Sequence, residues 1–305
     1  MPSITGTVTS DGAAAAGRIV RAYRRDTGAL LSSTLSSDGT TQDGDPHYSS
    51  VSLLLRGDGA NGSNPVDSSS TTKAVIRNGT STVSTSQSKF GGSSIQFGGG
   101  TTNFLQLASN ADFNFGTGDF TLEAWVYITA NPASPYAAIL DISDGSGGSG
   151  RTLMMLDESR TLGYFFGAAP VRTTTSISLN AWTHCALCRG ANTVRLFING
   201  VQGASVADTT TKVQFPCFVG RVANAAWAGY AGFLDDVRIT KGVARYTSAF
   251  TPPLVPFADD LPPPAPLALG AYYIDTPFAG EVQVVCLDDT AGPVYNDLIL
   301  RTTPV

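Results

Sequence analysis

Carboxylates, aromatic rings and thiols are the groups in this chain of 305 residues whose types and spacing could do chemistry. Glycoside hydrolysis needs two carboxyl groups about 5–10 Å apart, one an acid and the other a nucleophile or base. Glutamate occurs at 123, 158 and 281, and Glu123 has no acidic partner at 125 or 127, so the spacing does not support hydrolysis. Asp141, Asp144 and Asp157 could supply oxygen ligands to a hard cation such as Ca2+, helped by carbonyls of the Gly-rich run 145–148. The same run lacks the spacing and bidentate Glu of an EF-hand loop, and Asp-Gly there reads first as turn chemistry. Aromatic rings can stack on the apolar faces of pyranoses while Asn, Ser and Thr supply directional contacts. Trp227, within Asn224-Ala225-Ala226-Trp227-Ala228-Gly229-Tyr230, sits among small residues with no strand period. It is either a surface platform or a plug over one end of the fold. Tyr230, Tyr164 and Tyr136 are the further aromatic candidates, whereas Trp125 and Trp182 fall in strand-like runs and are expected in the core.

Other patterns carry less. Cys185 and Cys188 form a CxxC in a strand-like run, which points the two thiols to opposite faces and suits neither a metal nor a disulfide. No second CxxC completes a zinc site, so the four cysteines are expected to be buried thiols. His47 and His184 are the only histidines, and no Ser-His-Asp spacing accompanies them. Arg56-Gly57-Asp58 reads as a strand end and its turn. Asn61-Gly62-Ser63 and Asn78-Gly79-Thr80 match glycosylation acceptors, but the N-terminus shows no secretory signal. Gly98-Gly99-Gly100 opens no helix and is no phosphate loop.

The elements that must position these groups are strands. Charged residues make up 14 % of the chain, against about 25 % in an ordinary globular protein. With 33 Gly, 17 Pro and three Glu, the surface must be built from Ser, Thr, Asn and Gln, which marks an all-β, turn-rich protein. A net charge of −5 disfavours nucleic acid as a partner. No apolar run approaches about 18 residues, so no membrane span is expected. Between 47 and 258, strand-like runs recur every 10–12 residues, which describes a sandwich or jelly roll. In Thr121–Ile128, Leu122, Ala124, Val126 and Ile128 share one face while Trp125 and Tyr127 occupy the other, so this strand is expected to be covered on both sides. Asn199-Gly200 signals a type I′ hairpin. Residues 1–42 and 268–305 each offer about three short strands, too few to fold alone. The first segment holds four Arg against three Asp, the second one Arg against four Asp and one Glu, which invites pairing between them.

These residues carry a family resemblance. Ser50–Leu55 with Asp58-Gly59, Lys89–Phe97, Asp112–Val126, Trp182-Thr183-His184, Leu196–Gly200 and Asp235–Tyr246 resemble, in order, the laminin-G-like, concanavalin A-like jelly rolls of tailed-phage structural proteins. Ile4–Val8, Gly17–Gly28, Gly270–Tyr273 and Glu281–Asp289 resemble the opening and closing strands of a carboxypeptidase-regulatory-like, transthyretin-like β-sandwich. The resemblance implies an all-β chain in which a large concanavalin A-like jelly-roll sandwich (47–254) is inserted into a small transthyretin-like β-sandwich (1–42 plus 268–305), with 255–267 as a Pro-rich linker. It implies a non-enzymatic virion protein on the phage particle surface, in the tail or a fibre. Other virion proteins would be partners through the terminal base, and host cell-surface polysaccharide a partner of the jelly roll. Capsid decoration is the alternative, and polysaccharide degradation ranks behind both, because the Glu-x-Asp-x-x-Glu strand of related glucanases is absent. Asp235-Asp236 matches a strand motif of the family and is expected to be a structural hydrogen-bonding pair. Oligomeric state, a homo-oligomer included, is left open.

Overall fold

A computed structural model describes residues 45–258, apart from 133–134, 166–168, 226 and 228, and the terminal strands through their backbone pairing. The chain divides into two compact units, Met1–Gly44 with Pro262–Val305, and Asp45–Leu261.

The first unit contains β1 (Ser3–Thr7), β2 (Thr9–Ser10), β3 (Ala13–Ala14), β4 (Ile19–Arg24) and β5 (Leu30–Leu35). The second contains β6 (Val51–Leu55), β7 (Ile76–Asn78), β8 (Thr82–Ser84), β9 (Ser94–Gly98), β10 (Phe104–Leu107), β11 (Phe120–Ile128), β12 (Tyr136–Ile142) and β13 (Thr152–Asp157). It continues through β14 (Thr161–Phe165), β15 (Pro170–Ser176), β16 (Thr183–Gly190), β17 (Thr193–Ile198), β18 (Val201–Ala207), β19 (Cys217–Val219) and β20 (Ala231–Lys241). The first unit closes with β21 (Ala271–Asp275), β22 (Glu281–Asp288) and β23 (Gly292–Arg301).

In the first unit, β1 pairs antiparallel with β21 from Ser3↔Asp275 to Thr7↔Ala271. A four-stranded sheet runs β23-β22-β4-β5, with β4 and β22 in register from Ile19↔Leu287 to Arg24↔Val282. Strands from both ends of the sequence thus hydrogen-bond to each other directly.

The second unit is a concanavalin A-like jelly roll of two antiparallel sheets. One runs β15-β14-β13-β12-β19-β10-β7, the other β18-β17-β16-β11-β20-β9-β8, with β6 also pairing β20. Alternation of side chains along each strand sends one set inward. Leu122, Val126, Leu187, Leu196, Leu234 and Ile239 from one sheet meet Leu105, Leu140, Met154, Leu156 and Val219 from the other, all buried. Full burial of each such side chain contributes about 1.5–3 kcal/mol. Cys185 joins this core, and burial pushes its thiol up to about 12. Cys188 packs on the opposite face of β16 with Ala186 and Phe197, as the period of two requires. Among the described cysteines Cys185, Cys188 and Cys217 are free and buried; the side chain of Cys286 lies outside the described residues.

The outer face of the eight-stranded sheet is covered too, which explains why β11 carries large residues on both faces. Tyr246 and Phe250 stack at 3.6 Å over Phe197, and Phe257 packs on Val51 and Leu54. Asn199 and Gly200 form the expected hairpin turn, with φ of 48° and 76°. A Cβ at Gly200 would fall on the carbonyl oxygen of Phe250. Among the described residues no helix is long and apolar enough to cross a membrane.

Candidate functional site

The outer face of the seven-stranded sheet carries the most chemically distinctive surface. Along β13, Met154 and Leu156 face the core, so Leu153, Met155 and Asp157 face outward. Register then brings Phe165 of β14 and Asp141 of β12 beside Leu153, Gly163 beside Met155, and Tyr136 beside Asp157. Ala138, Leu153, Met155 and Val222 form an apolar floor, with Tyr136, Phe165 and Trp227 packed on it, each half-buried.

The three rings touch one another. Trp227 meets Tyr136 edge-on at 4.9 Å between centroids and Phe165 at 5.7 Å, while Tyr136 and Phe165 are 6.2 Å apart. The guanidinium of Arg151 lies 3.9 Å over the Phe165 ring, a cation–π contact. The floor is low at Gly163, where a Cβ would meet Met155 Cε at 2.9 Å and Arg172 Cγ at 3.3 Å. The floor beneath and the three rings above make an apolar surface with charged groups at its rim.

The loop that carries Trp227 is anchored by Asp141. Its Oδ2 accepts the Ala223 backbone N–H at 2.7 Å and the Ser143 hydroxyl at 2.8 Å. Burial pushes this carboxyl above the ordinary range, against the lowering effect of those two bonds. Asn224 Nδ2 donates to the Gly145 carbonyl at 2.9 Å, a second tie between the same two loops. At the rim, Asp157 accepts from Thr161 N–H at 2.9 Å, from its hydroxyl at 2.7 Å and from Arg172 at 3.2 Å. Further along the face, Arg221 lies 3.5 Å over the Phe104 ring and donates to the Thr101 carbonyl at 3.0 Å.

The sequence-derived aromatic candidates separate by face. Trp227 and Tyr136 lie together on the outer surface. Tyr164 does not: it points between the sheets, fully buried, and its hydroxyl donates to Asp208 Oδ2 at 2.5 Å. The same oxygen lies 3.1 Å from Lys212 Nζ and 3.9 Å from Arg189 Nη1. Tyr230 is likewise interior, donating to the carbonyls of Tyr127 and Phe233. Neither ring is available to a ligand, because strand parity turns Tyr164 inward and Tyr230 packs against Phe97. Of the two tryptophans expected in the core, Trp125 is buried, whereas Trp182 is half-buried against Tyr127.

The three aspartates considered for Ca2+ are not gathered. Asp141 and Asp157 lie at opposite ends of the β12–β13 pair, four residues apart along β13 or roughly 13 Å. Asp144 Oδ1 is turned to its own loop, accepting Ser146 N–H at 2.9 Å. Among the described residues no group of three or more His, Cys, Asp or Glu could hold a metal ion.

Glu123 is fully buried beneath the cover of the other sheet. Its Oε1 accepts from Arg238 at 2.8 and 2.9 Å, and its Oε2 accepts the Tyr246 hydroxyl at 2.8 Å and lies 3.2 Å from His184 Nε2. Burial alone would raise this carboxyl, but the Arg238 charge, His184 and Arg245 outweigh it and bring it down to about 2. Asp45 completes the cluster, accepting from Arg238 at 3.1 Å and Arg245 at 2.5 Å. Asp235 and Asp236 are structural hydrogen-bond acceptors. Asp235 Oδ2 takes the N–H groups of Lys89 and Phe90, and Asp236 Oδ2 that of Phe257.

Phe165 and Arg151 were not singled out from sequence. Phe165 is adjacent to Tyr164 in one apolar run, and Arg151 follows a Gly/Ser-rich stretch. Only the β13–β14 register shows that they share a face with Trp227.

Residues 98–245 match the sequence model of the family described as the concanavalin A-like lectin/glucanases superfamily. No curated protein sequence matches the chain. Among solved structures, the chain is similar to the binding domain of Paraclostridial Mosquitocidal Protein 1, at 14% identity and a TM-score of 0.48 over 64% of this chain and 49% of that one. It is also similar to Domain 4 of a GH43 extracellular arabinanase from Geobacillus stearothermophilus in complex with arabinotriose, at 15% identity and 0.47 over 64% and 93%. A third is the binding domain of Botulinum Neurotoxin DC in complex with SialylT, at 13% and 0.46 over 64% and 48%. The match spans about half the length of the mosquitocidal and neurotoxin chains.

Proposed function

We propose that the jelly roll is a non-catalytic glycan-binding module that uses the outer face of its seven-stranded sheet. The observation that carries this reading is the cluster of Trp227, Tyr136 and Phe165, three half-buried rings on an apolar floor with Arg151 stacked at the edge. Such a surface offers pyranose rings a platform for stacking, and the loop anchored by Asp141 holds the indole in place before a ligand arrives. The match of residues 98–245 to a superfamily of lectins and glucanases supports the same reading. A non-enzymatic role is supported by the state of Glu123, whose carboxylate is sealed from solvent and committed to Arg238 and Tyr246.

The larger setting follows from the resemblance of this sequence to tailed-phage structural proteins. In it the jelly roll is displayed on the particle, on a tail or fibre, to touch host-surface polysaccharide. The unit built from both chain ends is the part that docks to other virion proteins.

The direct test is a glycan array followed by titration calorimetry on the positive glycans. Trp227→Ala is expected to weaken binding about 30-fold or more, the effect of losing a central aromatic contact. The melting temperature should fall by no more than about 3 °C, since the ring is only half-buried. Absence of binding to any glycan, or retention of affinity in Trp227→Ala, would overturn the reading.

A further inference from the structure

We infer that the glycan taken by this face is acidic, an oligosaccharide carrying carboxylate groups, with Arg151 and Arg221 as the residues that recognise its charge. The inference rests on the glycan-binding reading of the Trp227 face and deepens it.

The first observation is the state of the two arginines. Arg151 lies flat on Phe165 and Arg221 flat on Phe104, each half-buried. Among the described residues neither has a carboxylate within 4.0 Å, and the Nε of each is buried without a hydrogen-bond partner. A guanidinium stacked on a ring keeps its Nη groups at the ring's edge, where they can meet a carboxylate; Arg221 already commits Nη1 to the Thr101 carbonyl, which leaves its other Nη group for a ligand. Elsewhere in the jelly roll, buried arginines are compensated. Arg238 and Arg245 share Asp45 and Glu123, and Arg189 donates to the carbonyls of Gly116, Gly118 and Thr210.

The second observation is the balance of charge on the face. Its carboxylates are already engaged: Asp157 by Arg172 and Thr161, Asp141 by Ala223 and Ser143, and Asp144 by Ser146. Among the described residues Arg151 and Arg221 make no ion-pair contact on this face, although Arg151 and Asp141 act on each other electrostatically without touching.

The third is their spacing. Phe165, Leu153, Asp141, Phe218 and Gln106 form one row across five strands by direct register. Arg151 stacks at the Phe165 end, and Arg221, 5.6 Å from the Phe218 ring centroid, stacks three strands along. That separates the two guanidinium groups by roughly 15 Å, a span for several linked sugars. The aromatic cluster lies toward the Arg151 end, so stacking and charge recognition act on the same chain.

The test compares three probes on the intact protein: oligogalacturonate, the same oligosaccharide after carboxyl reduction, and a neutral galactan. Calorimetry should show oligogalacturonate bound about tenfold or more tighter than its reduced form, the scale of one charge-assisted hydrogen bond. Arg151→Gln and Arg221→Gln should each cut that preference several-fold, whatever either does to affinity for the reduced form, and an acid preference unchanged in both variants would overturn the assignment of these arginines. Equal affinity for acid and reduced forms, both lost in Trp227→Ala, would overturn the acidic assignment and leave the glycan-binding reading standing. Binding of none of the three probes would overturn the acidic assignment as well, and the array described above then decides the reading beneath it. Acid binding that survives Trp227→Ala would show adsorption by charge alone and would also overturn the assignment.

Discussion

Asp141 Oδ2 accepts the backbone N–H of Ala223 at 2.7 Å, so a carboxylate in β12 fixes the loop that presents Trp227. The bond is partly buried, and removing its acceptor costs about 1 kcal/mol, the net contribution of an ordinary hydrogen bond. Asp141→Ala should therefore lower both the melting temperature and glycan affinity. Asp141→Asn keeps an acceptor oxygen and removes a charge that burial disfavours, so it should match the wild type in both. Calorimetry and thermal melts on the pair check this, and identical behaviour of Ala and Asn variants would refute the anchoring role.

The Asp235–Asp236 pair makes the jelly roll respond to pH. Burial, then repulsion between the two for Asp236, pushes these carboxyls up to about 7 from an ordinary 3.8. A carboxyl raised in the folded state binds protons more tightly there than in the unfolded chain. Its favourable contribution is full below the ordinary value and fades as pH rises through about 7. Stability should therefore increase as pH falls from 8 to 5. Asp236→Asn, at a residue whose φ of 46° asparagine tolerates, should add about 1 kcal/mol at pH 8 and flatten that rise. Urea melts at both pH values test it.

Glu123 has the opposite sign. Its carboxyl, held at about 2 against an ordinary 4.5, stabilises the fold above the ordinary value and loses that contribution as pH falls toward 2. Glu123→Gln leaves Arg238 and Arg245 buried with less compensation and should cost about 3–5 kcal/mol at neutral pH. An unchanged melting temperature together with loss of a reducing-sugar-releasing activity would instead mark Glu123 as catalytic.

Gly200→Ala tests the hairpin that seats Phe250. A methyl there meets the Phe250 carbonyl oxygen, in a backbone region that L-residues rarely adopt. The variant should be destabilised by about 1–3 kcal/mol with glycan affinity unaltered, because the turn is on the sheet opposite Trp227.

The strands buried on both faces were legible because they leave nearly continuous apolar runs, as in Val51–Leu55 and Phe120–Ile128. The edge strands were not. Pro170–Ser176 presents mostly exposed Thr and Ser, and polar pairing at an edge looks like loop in one dimension, whereas Val201–Ala207 is announced only by the Asn199-Gly200 turn before it. Ile76–Asn78, Thr82–Ser84 and Cys217–Val219, three residues each, are too short to show a period. The surface shows the same limit at single-residue scale. Trp227 stood out because no strand pattern explained it, but choosing Tyr164 over its neighbour Phe165 chose the inward side of β14. Parity along a strand is fixed by cross-strand register, which a linear pattern rich in aromatic residues on both sides does not disclose.

The chain arrives at the jelly roll through Asp45 and departs through Phe257, and both residues are fastened to β20. Asp45 binds Arg238, Phe257 N–H binds Asp236, and Arg238 lies 3.6 Å over the Phe257 ring. A module whose two ends are stapled to one of its own strands needs no particular geometry from the polypeptide around it. Its two ends close on the same strand, so residues 45–258 are the segment to express when the jelly roll is wanted by itself.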